Sequence, residues 1–113
     1  MTRYLISFDD GAMDDIPNDD MGEVGDAAHA VVREAQDAGA WIFGGGLKSQ
    51  RASVVATDET VTDGPYPETK AVVGGFAIVD VTTREEALQW ATKFAVACRC
   101  AQEVREIMDD PSV

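Results

Sequence analysis

The chain has 113 residues, of which 21 are acidic and nine basic, so its formal net charge is −12 at neutral pH. This length suits one hydrophobic core and predicts a single domain over residues 1–113. The negative charge repels phosphate backbones and acidic lipids, which argues against nucleic acid or a membrane surface as a partner. No apolar run approaches the roughly 18 residues of a membrane span.

The first twenty residues predict a strand and then a loop. Residues 4–8 alternate with apolar side chains on both faces, as in a sheet that is covered on both sides, and residues 1–8 are typical of a strand rather than a signal peptide, so we expect a cytoplasmic protein. Residues 9–20 carry three aspartate pairs among turn-forming residues and predict an exposed acidic loop. The pairs lack the alternating spacing and closing glutamate of an EF-hand, so neither a metal nor another cofactor is assigned.

Residues 20–38 predict the first helix, because apolar side chains recur at spacings of three and four residues. Asp19 or Asp20 is expected to cap its N-terminus, and Gly39 provides a left-handed stop. Gly22 and Gly25 weaken the first turns of this helix.

Residues 40–62 predict a second strand and a hairpin. The strand at residues 40–43 runs into three glycines, residues 44–46, and must therefore bend or approach another backbone closely. Residues 52–57 and 59–62 form the hairpin, with its turn around Asp58. Residues 63–70 contain one glycine and two prolines and predict a rigid loop.

The C-terminal third predicts a strand, a helix and a strand. Residues 74–81 form the core strand, with Phe76, Ile78 and Asp80 on one face and Ala77, Val79 and Val81 on the other. Thr82 or Thr83, followed three residues later by glutamate, predicts a capping box at the start of the second helix. The buried stripe of that helix is expected at Ala87, Leu88, Ala91 and Phe94. Residues 101–108 form the last strand, and residues 109–113 a tail.

This order of elements predicts an α+β fold, a ferredoxin-like βαββαβ domain with an extra hairpin. Right-handed crossovers place both helices on one face of an antiparallel sheet and leave the other face open. A second copy of the chain is the simplest cover for that face, so we expect a homodimer that closes a dimeric α+β barrel.

His29 is the only histidine and the only side chain whose ordinary pKa lies near neutrality. On a helical wheel it lies about 110° from the centre of the apolar stripe, at a position that suits a cleft margin. Two interpretations stand: His29 is a general base, or it is a half-exposed helix histidine stacked on a neighbour or paired with Asp26.

Asp63 begins the rigid loop and is the second candidate. Its carboxylate can orient an imidazole or hold a substrate hydroxyl, or it can cap its own turn. Tyr66, Glu68 and Lys70 would supply a ring and two charges, a binding rim for a small polar or aromatic ligand. The alternative for Glu68 and Lys70 is surface decoration. Elsewhere, two cysteines at positions 98 and 100 are one residue apart and are expected to be free thiols.

Three segments carry a family resemblance: Asp63-Gly64-Pro65-Tyr66-Pro67-Glu68-Thr69-Lys70, then Gly74-Gly75-Phe76, then the helical Glu86-Ala87-Leu88-Gln89-Trp90-Ala91. With the glycines of residues 44–46 and with His29, they make the chain resemble the YCII-related family in its DGPF-loop branch, with Tyr66 where phenylalanine is common.

The resemblance implies a dimeric α+β barrel with a first-helix histidine and an acidic residue in a cleft. Most members have no assigned reaction. One relative is a dehydrochlorinase acting on a chlorinated hydroxyquinol, and many DGPF-loop genes lie near extracytoplasmic-function sigma factors.

Two hypotheses of function follow. The first is a cofactor-independent, small-molecule acid–base enzyme, lyase-like or dehydrochlorinase-like, in which His29 moves a proton and Asp63 orients it. The second is a non-catalytic dimeric binding or regulatory module associated with a sigma-factor pathway, in which His29 is dispensable.

Overall fold

A computed structural model describes residues 1–48, 52–65 and 72–113. Two helices and six strands occur in this part of the chain. Their bounds are β1 Thr2–Asp9, α1 Met21–Asp37, β2 Trp41–Gly46, β3 Ser53–Val55, β4 Val61–Asp63, β5 Val73–Val81, α2 Arg84–Cys98 and β6 Glu103–Glu106. A short 3-10 turn, Asn18–Asp20, leads into α1. The predicted order of elements is confirmed.

Four strands form one antiparallel sheet in the order β2-β5-β1-β6, and β3 and β4 form a separate two-stranded hairpin. Helix α1 connects β1 to β2, which are separated in the sheet by β5, and α2 connects β5 to β6, which are separated by β1. Both helical connections must therefore cross over the sheet. The mixed α+β architecture is therefore confirmed, and the strand order is compatible with a ferredoxin-like fold. No helix in the described ranges is long and apolar enough to cross a membrane.

The register of β5 against β1 decides which side chains meet the helices. Ala77 lies opposite Ile6 and Val79 opposite Tyr4, and all four are buried. Because side chains alternate along a strand, Phe76, Ile78 and Asp80 project from the other face, as predicted. The core therefore lies between the sheet and the two helices.

The second face of the sheet is open within the described chain, as the crossovers predicted. The apolar residues on both faces of β1 suggested a sheet covered on both sides, and only the helix side is packed into the core of this chain. On the opposite face Phe43 is 62% exposed and Leu5, Phe76 and Ile78 are half-buried. Apolar residues on both faces of β1 thus do not require that the same chain packs against both faces of the sheet.

The N-terminus of α2 has the predicted capping box. The Thr83 hydroxyl accepts a hydrogen bond from the Glu86 N–H at 3.2 Å, and the Glu86 carboxylate accepts one from the Thr82 N–H at 3.4 Å. The buried stripe is Ala87, Ala91, Phe94, Ala97 and Cys98. Leu88, predicted to belong to it, is 41% exposed, because it follows Ala87 by one residue and lies about 100° around the helix.

Helix α1 begins differently. Asp20 occupies the predicted cap position, but its side chain makes no capping hydrogen bond. The carboxylate instead pairs with Arg99 beyond the end of α2, at 2.9 Å. Gly39, with a φ of 72°, follows the helix as predicted.

Candidate functional site

A cavity of about 400 Å³ lies where β1 and β2 end and β5 begins, beside the first half of α1. Its walls are mostly apolar and include three aromatic side chains on the helix side of the sheet, those of Phe8, Trp41 and Phe94. The described residues that line it are Phe8, Met13, Met21, Val24, Gly25, Ala28, His29, Val32, Trp41, Gly44, Gly45, Gly46, Phe76, Ala77, Phe94, Cys98 and Gln102. Its size and composition are those of a small-molecule site.

His29 lies at the opening of this cavity. The side chain is exposed to solvent yet belongs to the cavity lining, because α1 presents its first half to the ends of the strands. The interpretation that His29 pairs with Asp26 gains no support, since no ion pair joins these two described residues. The imidazole is therefore accessible to a molecule in the cavity and to solvent.

Glycines make the strand wall of the cavity possible. A β-carbon at Gly44 would lie 2.5 Å from the Phe76 carbonyl oxygen and 2.8 Å from the Trp41 ring. This confirms the close backbone approach that the glycine run predicted. A β-carbon at Gly75 would likewise clash with the Phe8 ring. The Trp41 ring thus packs against the backbone of Gly44 and the Phe8 ring against that of Gly75, and both rings form part of the cavity wall.

The two cysteines are free, as predicted, and only Cys98 lines the cavity. Burial raises the pKa of Cys98, and the neighbouring Cys100 raises it further. Burial also raises the pKa of Cys100, against a hydrogen bond from the Gln102 amide. Both groups are therefore neutral thiols at neutral pH, and Cys98 serves the cavity as a small apolar wall.

The acidic loop contributes to the site in a way that the sequence did not indicate. Most of residues 9–20 are exposed, but Met13 and Ile16 are half-buried, and Met13 lines the cavity. Arg99 holds the end of the loop beside α2, with its guanidinium 2.9 Å from Asp20 and 3.8 Å from Glu23. One side of the loop is thus a wall of the cavity.

Asp63 ends β4 and is exposed, opposite Ser53 in the hairpin. Its carboxylate accepts no hydrogen bond from another described residue, and the turn that it could cap continues into residues outside the described ranges. Asp63 is not among the described residues that line the His29 cavity. The adjoining Gly64 N–H donates to the Ala52 carbonyl at 2.9 Å, and the Gly64–Pro65 bond is cis.

The His29 cavity and a hollow beside Pro65 adjoin at the end of β2. Gly46 lines the cavity, and the next residue, Leu47, lines a hollow that also contains Pro65. The predicted rim residues Tyr66, Glu68 and Lys70 lie outside the described residues.

In residues 1–48, 52–65 and 72–113, no three histidine, cysteine, aspartate or glutamate side chains come together so that they could hold a metal ion. The polar side chains among the described lining residues are instead the His29 imidazole and the Gln102 amide.

Most of the cavity wall escaped the sequence analysis. The sequence predicts Phe8 and Trp41 as strand residues, Phe94 as a core residue and Gln102 as part of the last strand. Two signals were usable: the glycine run at residues 44–46, which lines the cavity, and Gly25, which precedes His29 by four residues and so shares its side of α1.

The architecture is that of a small α+β protein, compatible with a ferredoxin-like fold, with a cavity beside its first helix. The family model of the YCII-related domain matches residues 12–110, which is most of the chain. The protein belongs to the YCII-related family. No curated protein matches the chain.

Proposed function

We propose that this protein is a cofactor-independent enzyme of small-molecule acid–base chemistry, with His29 as its general base. The observation that carries the proposal is the position of His29 at the opening of a mostly apolar cavity. An imidazole exchanges protons near neutral pH without special tuning, and an adjacent apolar cavity holds a substrate beside it.

The described cavity wall favours a neutral aromatic substrate. Phe8, Trp41 and Phe94 offer ring faces and edges, and no lysine, arginine, aspartate or glutamate stands among the described lining residues. A strongly anionic substrate would meet a protein of net charge −12 and find no lysine or arginine in that described wall. A phenol or hydroxyquinol fits better, since its ring packs on the aromatic wall and its hydroxyl reaches the imidazole.

The proposed step is a proton abstraction. A neutral imidazole nitrogen of His29 takes a proton from a substrate C–H or O–H group. In an elimination, the C–H electron pair forms the new double bond, and the leaving group departs with its own bonding pair as an anion such as chloride. The imidazolium then returns its proton to solvent, which its exposure permits.

We propose that Asp63 orients this chemistry from the adjoining turn, with Tyr66, Glu68 and Lys70 as the rim of a DGPF-type loop. Support comes from the adjacency of Gly46, in the cavity wall, and Leu47, in the hollow that contains Pro65. The free thiols of Cys98 and Cys100 are compatible with a reducing cytoplasm as the place of action.

The test is a binding and turnover screen of phenols, hydroxyquinols and their chlorinated forms. His29→Gln should lower turnover by about 100-fold or more, the range expected of a general base, with little change in melting temperature because the side chain is exposed. Asp26→Asn, an exposed change in the same helix, should leave turnover unaltered. Asp63→Asn should lower turnover without unfolding. Full turnover in His29→Gln would refute the proposed base.

A non-catalytic homodimeric module is the second candidate, and the uncovered sheet face favours it. Phe43 is 62% exposed, and its ring centroid lies 5.9 Å from that of Phe76 on this face. An exposed aromatic pair gains from a cover, and the same face of a second copy would close a dimeric barrel. In a sigma-factor pathway such a dimer would act by binding alone, with His29 dispensable.

Light scattering tests the dimer. Phe43→Glu should convert a wild-type dimer into monomers, because a carboxylate would be buried in the interface without a partner. Val96→Glu is the matched control, since Val96 is 75% exposed on α2, away from the sheet. A monomeric wild type would rule out the barrel. Equal dissociation by both substitutions would remove this face as the interface.

A further inference from the structure

Helix α1 contains two glycines near its start, Gly22 and Gly25, and neither has a packing reason to be there. A β-carbon added at either position would meet no heavy atom within 4 Å. Glycine inside a helix destabilises it relative to alanine. Close contact with another element, the usual compensation, is absent at both.

The two glycines differ in where the missing β-carbon would point. Gly22 is exposed and does not belong to the described cavity wall, so the space beside it is solvent. Gly25 is half-buried and lines the cavity, so the space beside it is the cavity itself. Gly45 and Gly46 of β2 also line the cavity with open space beside them. Bare backbone thus borders the cavity on the helix and on the strand.

Gly25 also stands in a defined relation to the proposed base. It precedes His29 by four residues, which places the two on the same side of α1, about one helical turn apart. If the flat ring of a ligand lies against the backbone at Gly25, the substituents of that ring therefore lie beside the His29 imidazole. An alanine methyl at this position would occupy that space.

We propose that Gly25 sets the size limit of the cavity and admits a planar aromatic ligand larger than a single ring. The extra ring, or a ring substituent of similar size, lies against the α1 backbone at Gly25 while a hydroxyl faces His29. This inference rests on the proposed function, since it names the substrate class of the same site.

The experiment compares Gly25→Ala with the matched control Gly22→Ala, using phenol and 2-naphthol as probes. Both substitutions should raise the melting temperature by about 3–5 °C, because each replaces a helical glycine without a clash. Calorimetry or NMR titration should show that Gly25→Ala weakens 2-naphthol binding by about tenfold or more while phenol binding changes little. Gly22→Ala should leave both affinities unchanged.

The outcomes separate the two proposals. If the wild type binds both probes and Gly25→Ala leaves their affinity ratio unchanged, the size limit lies elsewhere and this inference is wrong, while the proposed site stands. A lower melting temperature in Gly25→Ala would also overturn it, because the methyl would then meet protein rather than open cavity. If the wild type binds neither aromatic, the proposed site and the inference fail together.

Discussion

The two helices lie on the same face of the same sheet but are built for different tasks. Helix α2 begins with a hydrogen-bonded capping box and buries a stripe of alanines around Phe94. Helix α1 begins without a side-chain cap, carries two glycines and presents His29 to a cavity. The two helices thus divide the tasks unequally, because α1 carries the candidate base and borders most of the helix side of the cavity, whereas α2 contributes only Phe94 and Cys98 to the cavity wall.

The largest effect should come from truncating the anchor of α2. Phe94 is 7% exposed, and its ring centroid lies 6.3 Å from that of Trp41. Phe94→Ala should lower the free energy of unfolding by about 3–5 kcal/mol, because it removes buried apolar surface and leaves a cavity. Met21→Ala in α1, where Met21 is 40% exposed, should cost far less. Urea denaturation measures both, and similar losses would contradict the division of tasks between the helices.

The two helix starts differ by a smaller amount. Thr83→Ala removes the hydroxyl that accepts the Glu86 N–H, and should lower the free energy of unfolding by about 1 kcal/mol. Asp20→Ala removes no capping bond and should lose only the exposed ion pair with Arg99. Thermal unfolding of the two variants in 1 M salt isolates the cap, because salt screens the ion pair. Equal losses there would mean that Asp20 caps α1 in solution.

Arg99 links the two helices and should have a weaker effect still. Its ion pairs with Asp20 and Glu23 are exposed, so Arg99→Ala should cost at most about 1 kcal/mol, and less at high salt. Arg99 has a φ of 57° at the end of α2, a left-handed conformation that glycine adopts freely. Arg99→Gly loses the same ion pairs but should be more stable than Arg99→Ala, as chemical denaturation at two salt concentrations would show. The reverse order would argue against this conformation.

The smallest expected effect is a pH dependence that arises at the end of α2. Burial holds the pKa of Cys98 above its ordinary value, so above about pH 8.5 the unfolded chain loses this proton first. The folded state then binds more protons, and stability falls as pH rises from there through the folded pKa. Cys98→Ala should flatten this fall in unfolding curves between about pH 7 and 9.5, below the range in which Tyr4 titrates. An unchanged slope would assign the alkaline loss to other groups.

The local pattern of the sequence determined the secondary-structure elements. Alternation in residues 74–81 predicted both faces of β5, and the spacing of threonine and glutamate predicted the cap of α2, because these features depend on neighbours within a few residues. The glycine run of β2 predicted a close backbone approach for the same reason. His29 followed from chemistry, since it is the only histidine.

Tertiary structure decided what surrounds these residues. The cavity joins side chains from β1, the acidic loop, α1, β2, β5 and α2, and no spacing along the chain encodes that meeting. Asp20 does not cap α1 because its carboxylate pairs with Arg99, which is distant in sequence, and Leu88 is exposed because the face of α2 that packs on the sheet runs through Ala87 instead. The sequence by itself therefore determined the order of elements and the candidate base. Long-range packing alone decided that bare backbone at Gly25 and Gly46 borders one cavity, because contacts between distant segments depend on how the crossovers place them.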